Sequence, residues 1–160
     1  INPLNFYALS KATVDYWVLD NMDRFEQVQG FRYFNVYGEG EEHKGDQASP
    51  VSKFTLQAKQ NKIIKIFEDS EYSFRDFVWV GDVVDVVLDN TAGSGIYDVG
   101  TGNPISFLEI AELIAKKEGA EIEVIPFPKH LEGKYQEYTC ADTSWYSYDY
   151  TKVSDYLKNI

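Results

Sequence analysis

The stretch from Val28 to Tyr37 constrains the fold of this chain most strongly. It is rich in residues that favour strands, it follows an apolar-periodic segment that runs to about Asn21, and it ends at Gly38. These signals predict a helix followed by a strand. A helix that leads into a strand ending in a polar, glycine-bearing loop is the pattern of an α/β fold. Because ligands collect at the carboxyl ends of strands in open α/β sheets, we expect a site near residues 35–37.

The rest of the chain continues the alternation of helices and strands. Ser49 and Pro50 are typical of a helix N-terminus, and Ser106 with Glu109 forms a capping box that predicts another. We therefore predict helices over 50–60, 81–88 and 106–117 with a weak helix from 151, and strands over 62–67, 95–100 and 121–126.

The charge of the chain limits the classes of molecule that it can bind. A formal net charge of −11, with no Lys/Arg-rich stretch to offset it, argues against nucleic-acid binding. A phosphorylated small ligand stays possible, because it needs only a few well-placed cations. No apolar run is long enough to span a membrane, so we expect no membrane partner.

The cysteine content, the length and the first residue bear on the cellular compartment and on whether the sequence is part of a longer chain. The single cysteine, Cys140, cannot form an internal disulfide, as is usual for proteins of a reducing compartment such as the cytoplasm. The 160 residues suffice for one domain or for parts of two. Because the sequence begins at Ile1 and not at Met, we expect a piece of a longer chain.

Tyr7 and Lys11 are the first candidate catalytic residues. They are four positions apart, so one helix would present both side chains on the same face. An ammonium group beside a phenol lowers the pKa of the phenol and suits it to proton transfer. The spacing alone is weak evidence, since roughly one such match is expected by chance in this composition. We interpret a second match, Tyr148 and Lys152, as accidental.

The loop 38–48 is the most unusual segment, because acidic residues surround the single lysine Lys44. By itself this composition favours a solvated surface loop. No glycine-rich dinucleotide motif occurs at a strand–helix junction, so these 160 residues do not encode a cradle for a dinucleotide pyrophosphate. No cluster of histidine and cysteine predicts a metal site.

In order and spacing, these motifs resemble the extended short-chain dehydrogenases/reductases that act on nucleotide sugars. Within that superfamily, the segment His43–Ser49 resembles the ADP-glyceromanno-heptose 6-epimerase branch. The motifs that carry the resemblance are Tyr7-x-x-x-Lys11, Arg32–Gly38, Arg75–Val78, Val80-x-Asp82-Val83, Tyr97–Gly102, Phe67-Glu68-x-Ser70 and Gly133–Gln136.

The resemblance implies the C-terminal part of a Rossmann-type enzyme, with the glycine loop upstream of Ile1. Residues 1–34 and 76–105 would complete the NADP-binding domain. Residues 35–75 and 106–160 would form a smaller α/β substrate-binding domain. The resemblance also implies a homo-oligomer, a pentamer in this branch.

The resemblance further assigns the catalytic and cofactor residues. Tyr7 would be one proton acceptor and Lys44 the second, while Lys11 would hold the nicotinamide ribose and tune Tyr7. Val36 would contact NADP through its backbone, and Lys44 would also lie at the cofactor. The reaction implied is isomerisation at C6 of an ADP-heptose, through transient oxidation by bound NADP, for the lipopolysaccharide inner core.

The substrate site is assigned in the same way. Arg75 is credible independently, because its planar guanidinium suits a pyrophosphate, although a salt bridge to Asp76 or Glu71 is an equal alternative. Asp46 and Lys53 depart from the Ser and His expected at those positions. The residues that would bind the ADP-sugar are Asn35, Asp46, Lys53, Phe67, Glu68, Asp69, Ser70, Arg75 and Tyr135.

Two other functions stay open at this point. A UDP- or dTDP-sugar 4-epimerase or 4,6-dehydratase shares the Tyr-x-x-x-Lys and Arg-Tyr-Phe-Asn motifs but does not need the His-Lys-Gly loop. The lack of a glycine loop also allows a catalytically silent fragment or binding module. For the same reason we expect the 160 residues alone to bind no NADP, to be inactive and to aggregate.

Overall fold

A computed structural model describes residue 3 and residues 5–129 and 136–160, and it confirms an α/β fold. Two short 3₁₀ segments, Met22–Arg24 and Glu42–Gln47, accompany the regular elements. The helices of the described residues are α1 (Phe6–Asp20), α2 (Pro50–Asn61), α3 (Val80–Asp89), α4 (Phe107–Glu118) and α5 (Val153–Asn159). The strands are β1 (Gln29–Tyr33), β2 (Asn35–Tyr37), β3 (Ile63–Phe67), β4 (Phe74–Arg75), β5 (Phe77–Trp79), β6 (Gly95–Val99), β7 (Ile105–Ser106) and β8 (Glu121–Ile125).

The helices begin and end where the capping residues predict. The side chain of Asn5 accepts a hydrogen bond from the first turn of α1, and Ser49 does the same for α2. Ser106 and Glu109 form the full capping box of α4. Gly119 then ends α4 in the left-handed region, with φ of 63°. These local signals fix the helix boundaries to within one or two residues.

The single strand predicted over 28–37 is wrong in one respect, because it consists of two strands with different partners. The amide of Val36 bonds back to the carbonyl of Phe34 at 2.9 Å, and this tight turn bends the chain. Before the bend β1 pairs in parallel with β6, and after it β2 pairs in parallel with β5. The bend therefore moves the chain from one pair of strands to the next.

The described residues form two apolar cores. The larger is built by α2, α4, α5 and β3, where Ile64, Ile110 and Ile114 are completely buried. The smaller contains Val78, Val86 and Val99, and aromatic side chains of residues 145–150 pack against it. The division into a cofactor part and a substrate part stays a prediction.

The carboxylate of Asp76 is completely buried and connects three segments. Its oxygens accept hydrogen bonds from the amide and hydroxyl of Thr101, each at 2.7 Å, from the amide of Gly102 at 2.8 Å and from the amide of Ala141 at 2.9 Å. A Cβ on Gly100 would lie 2.7 Å from Ala141 and 2.9 Å from this carboxylate, so only glycine fits there. Asp76 thus joins the end of β6 to the C-terminal tail, residues 139–151.

A second buried carboxylate, Asp82 on α3, holds the far end of the same tail. It accepts hydrogen bonds from the amide of Thr151 at 2.8 Å and from its hydroxyl at 3.0 Å. Between these anchors the indole of Trp145 donates to the carbonyl of Asp98 at 2.7 Å and packs against Tyr97. The tail is therefore part of the packed fold and lies against β6 and α3.

Helix α1 packs weakly on the rest of the described chain. Ala12 is its only buried residue, and several of its large apolar side chains are exposed, including Trp17. An ion pair between Asp15 and Arg32, 2.7 Å long, connects it to β1. Among the described residues, no helix combines the length and the apolar character that crossing a bilayer requires.

We expect Asp76→Ala to lower the free energy of unfolding by about 3 kcal/mol or more, because it leaves buried amide donors without an acceptor. Urea unfolding of the full-length protein measures this loss. Asp89→Ala, at an exposed position of α3, is the matched control and should change the free energy by less than about 0.5 kcal/mol. Equal stability of the Asp76 variant and the wild type would contradict the role of this carboxylate.

Candidate active site

Helix α1 presents Tyr7 and Lys11 together, as the spacing predicts. The ammonium nitrogen of Lys11 lies 5.3 Å from the centroid of the Tyr7 ring, and both side chains are exposed. A phenol and a cation on one open face can contact the same ligand. No glycine-rich loop that would hold a dinucleotide pyrophosphate occurs in these 160 residues.

The second match to the same spacing has a different setting. Tyr148 and Lys152 lie outside the helices, so the spacing does not place them on one helix face. The hydroxyl of Tyr148 donates to Asp85 at 2.9 Å. Burial, together with that carboxylate, raises the pKa of Tyr148. A raised pKa is the opposite of what a general base requires.

Lys44 lies in the 3₁₀ segment that follows β2, and its side chain is 43% exposed. The prediction of a solvated surface loop is thus correct for most of the loop but not for Glu41, which is 4% exposed. The ammonium nitrogen of Lys44 lies 3.5 Å from the carboxylate of Glu41. Gly38 begins this loop with φ of 155°, and a Cβ at this position would lie 2.5 Å from the side chain of Val80.

Hydrogen bonds hold Glu41 in its charged form. Its carboxylate accepts from the amide of Ser49 at 2.8 Å, from the hydroxyl of Ser49 at 2.7 Å and from the amide of Gly38 at 3.2 Å. Burial by itself would raise the pKa of Glu41, but these bonds and the charge of Lys44 outweigh it and lower the pKa below its ordinary value. The loop therefore contains a fixed negative charge next to Lys44.

Asn35 lies on β2, and Arg75 lies on β4, the short strand that directly precedes β5, the partner of β2. The amide of Asn35 donates to the backbone carbonyl of Asp76 at 3.0 Å, next in sequence to Arg75. Arg75 is buried, its guanidinium carbon lies 5.8 Å from the centroid of the Phe107 ring, and it donates to the carbonyl of Phe74 at 2.8 Å. The carboxylate of Asp76 binds the amides of other segments, so Asp76 is not the salt-bridge partner considered for Arg75.

Residues 67–70 form a tight turn at the carboxyl end of β3. The carbonyl of Phe67 accepts bonds from the hydroxyl of Ser70 at 2.6 Å and from its amide at 3.3 Å. Asp69 has a φ of 62°, which is uncommon for a residue other than glycine and costs about 1 kcal/mol or more. Glu68 and Asp69 are exposed, whereas Ser70 is buried and shapes the turn.

The remaining predicted site residues are Asp46, Lys53, Val36 and Tyr135. The ammonium group of Lys53 donates to the backbone carbonyl of Asp46 at 3.3 Å. Lys53 also lines a cleft of about 390 Å³ between the loop and α5, which Asn35 and Arg75 do not line. The amide of Val36 is already bonded within the chain. Tyr135 lies outside the described residues.

Sequence reasoning missed the roles of Glu41 and Asp76. A signal exists for Asp76, because it directly precedes the apolar pair Phe77 and Val78, and a carboxylate buried there must find hydrogen-bond donors. Nothing in the sequence distinguishes Glu41 from the exposed acidic residues of the same loop.

The comparison with known families decides the assignment. The sequence profile of the NAD dependent epimerase/dehydratase family matches residues 1–100, a range that contains Tyr7, Lys11, Lys44 and Arg75. The chain belongs to the NAD dependent epimerase/dehydratase family. The predicted superfamily is thereby confirmed.

Solved structures that are similar to this epimerase/dehydratase chain agree with the family assignment. Helicobacter pylori ADP-L-glycero-D-manno-heptose-6-epimerase is 29% identical with a TM-score of 0.79, over 99% of this chain and 50% of that one. Thermotoga maritima UDP-glucose 4-epimerase with UDP-glucose is 26% identical with a TM-score of 0.72, over 85% and 44% of the two chains. Thermus thermophilus UDP-glucose 4-epimerase in complex with NAD is 26% identical with a TM-score of 0.70, over 88% and 46%. This chain spans about half the length of these enzymes.

The lowered pKa of Glu41 predicts an acid-sensitive contribution to stability. The contribution is fully present above the ordinary pKa of 4.5 and disappears as the pH falls through the lower pKa of the folded state. At neutral pH we expect Glu41→Gln to cost about 1–3 kcal/mol of unfolding free energy, because charge-assisted bonds are lost. Urea unfolding between pH 7 and about pH 3 should show this difference shrink on the acid side. Glu42→Gln, at an exposed position, is the control, and a pH-independent difference for Glu41→Gln would refute the linkage.

Proposed function

We propose that this chain is the C-terminal half of a nucleotide-sugar epimerase that inverts C6 of ADP-glycero-manno-heptose. The observation that carries the proposal is the pair of separate proton-transfer candidates, Tyr7 beside Lys11 on α1 and Lys44 on the loop after β2. In the proposed reaction the oxygen on C6 loses a proton in one orientation of the sugar and regains one in the other, and two separate proton-transfer groups suit these two positions. The similarity to the Helicobacter pylori 6-epimerase over 99% of this chain supports the same substrate class.

In this proposal each residue has a defined task. Bound NADP would supply the reversible oxidation at C6. Tyr7 exchanges a proton with the sugar oxygen, and Lys11 holds the nicotinamide ribose and stabilises the charged form of the phenol. Lys44 exchanges a proton with the oxygen in the alternative orientation of the sugar. The sugar therefore turns between two fixed groups while the protein keeps one arrangement.

The substrate half of the proposal rests on β2, β4 and the turn after β3. Arg75 on β4 is buried, as suits a charged group that binds a pyrophosphate rather than solvent, and the amide of Asn35 on β2 bonds to Asp76, the residue that follows Arg75. Residues 67–70 form a fixed turn whose exposed carboxylates could receive ribose or heptose hydroxyls. We also propose a homo-oligomer that acts in the cytoplasm on lipopolysaccharide heptose.

A second candidate is a UDP-sugar 4-epimerase, favoured by the 26% identity to the two UDP-glucose 4-epimerases. The loop with Lys44 separates the candidates, because 4-epimerisation does not call for a second base there. Turnover of ADP-heptose and of UDP-glucose by the full-length enzyme decides between them. Turnover of UDP-glucose alone would replace the first proposal by the second.

We expect Tyr7→Phe and Lys44→Met each to lower the rate of C6 epimerisation by about 100-fold or more, because each removes a proton-transfer group. NADP binding by the full-length enzyme should stay within about threefold of wild type for Lys44→Met. The measurement is the interconversion of the two ADP-heptose epimers followed by NMR.

The matched controls are Tyr148→Phe and Lys152→Met, which repeat the chemical changes at the accidental match. Both should keep the epimerisation rate of the wild type. Near-normal turnover of both epimers by Lys44→Met would show that loop 38–48 is a solvated surface loop without a catalytic role. That result would also contradict the proposed substrate.

Arg75→Ala should weaken the binding of substrate through lost contacts to the pyrophosphate. A charge-assisted, bidentate contact contributes about 2 kcal/mol, so we expect the KM to rise by about 30-fold. Calorimetric titration of the full-length enzyme with ADP isolates the nucleotide part. Unchanged affinity for ADP in a folded variant would contradict the role of Arg75 in binding the pyrophosphate.

A further inference from the structure

Glu41 is set apart from the other carboxylates of its loop. It is 4% exposed, whereas Glu39, Glu42 and Asp46 are exposed. Its two oxygens receive three hydrogen bonds from the two ends of the loop, Gly38 and Ser49, in addition to the ammonium group of Lys44. A buried carboxylate with this many donors is fixed in position.

The contacts of Glu41 tie the loop to rigid elements. Gly38 directly follows β2, and Ser49 is the N-cap of α2, whose hydroxyl accepts from the first turn while donating to Glu41. The carboxylate therefore connects the end of a strand to the start of a helix. Because strands and helices are the rigid parts of a fold, the position of Glu41 is set by both.

Lys44 is attached to this anchor in two ways. Its amide donates to the backbone carbonyl of Glu41 at 2.9 Å, and its ammonium nitrogen lies 3.5 Å from the carboxylate. The segment around it, 42–47, is exposed and changes direction at Gly45, with φ of 52° and ψ of −122°. Through these two contacts Glu41 restricts both the backbone and the side chain of Lys44.

We infer that Glu41 is a positioning residue that holds Lys44 for proton transfer. The catalytic meaning of this inference rests on the proposed function, while the structural part concerns this chain alone. Glu41 exchanges no proton with the substrate; it fixes the place and orientation of the amine that does. A misplaced base slows the chemical step more than it weakens substrate binding.

The test measures Lys44 directly and the reaction separately, in the full-length enzyme. Glu41→Gln should lower kcat for ADP-heptose epimerisation by about tenfold or more with KM unchanged, since binding groups stay in place. Brief acetylation with acetic anhydride, read by mass spectrometry, should modify Lys44 several-fold faster in this variant. Loss of the ion pair releases the side chain of Lys44, so its amine becomes more accessible to the reagent. Lys116, exposed on α4, is the internal reference.

Glu42→Gln makes the same chemical change at the exposed neighbour and should alter neither kcat nor the acetylation of Lys44. Ser49→Ala removes one donor of Glu41 and should shift both readouts in the same direction by a smaller factor. It replaces Glu41→Gln as the test if that variant does not fold.

Unchanged acetylation of Lys44 in folded Glu41→Gln would overturn the inference, as would equal changes in the Glu42 variant. A rise in KM with unchanged kcat would also overturn it. Faster acetylation of Lys44 in an enzyme that does not turn over ADP-heptose at all would leave the positioning role intact and would instead refute the proposed function.

Discussion

The buried carboxylate of Asp76 is the interaction on which the arrangement of this chain depends. The carboxylate accepts hydrogen bonds from Thr101, Gly102 and Ala141. The backbone carbonyl of Asp76 accepts a further hydrogen bond from the amide of Asn35. A charge taken out of water is tolerated only when donors surround it, so these segments must meet at this point. The same residue therefore binds the backbone of Asn35 and directly follows Arg75 in sequence.

Most elements of this fold could be predicted, because their signals are local. Asn5, Ser49 and the Ser106–Glu109 box each satisfy amides of their own helix, so a few residues of sequence contain the whole interaction. The bend at Phe34 could not be predicted, since it depends on which partner strand lies alongside. The strand propensity of a segment indicates that it forms a strand, but it does not indicate which strand it pairs with.

The proton-transfer roles of Tyr7 and Lys44 stay predictions that rest on the family resemblance, because the spacing of Tyr7 and Lys11 is expected about once by chance in this composition. The support beneath them is long-range or ambiguous: Glu41 looks like its acidic neighbours until its burial is known. Similarly, Asp76 beside Arg75 looks like an ion pair, whereas its partners are 25–65 residues away in sequence. Pairing over such distances is a property of the packed chain.

The docking of residues 139–151 bears on the order in which the chain folds. The contacts from Asp76 to Ala141 and from Asp82 to Thr151 span 65 and 69 residues, so closing them is slow compared with forming any helix of the chain. During synthesis from the ribosome these tail residues also emerge among the last of the 160. Until they arrive both carboxylates stay hydrated, and the small valine core keeps one face open to water. The nascent chain thus passes through a state that is completed only when residues 139–151 have been synthesised and have docked.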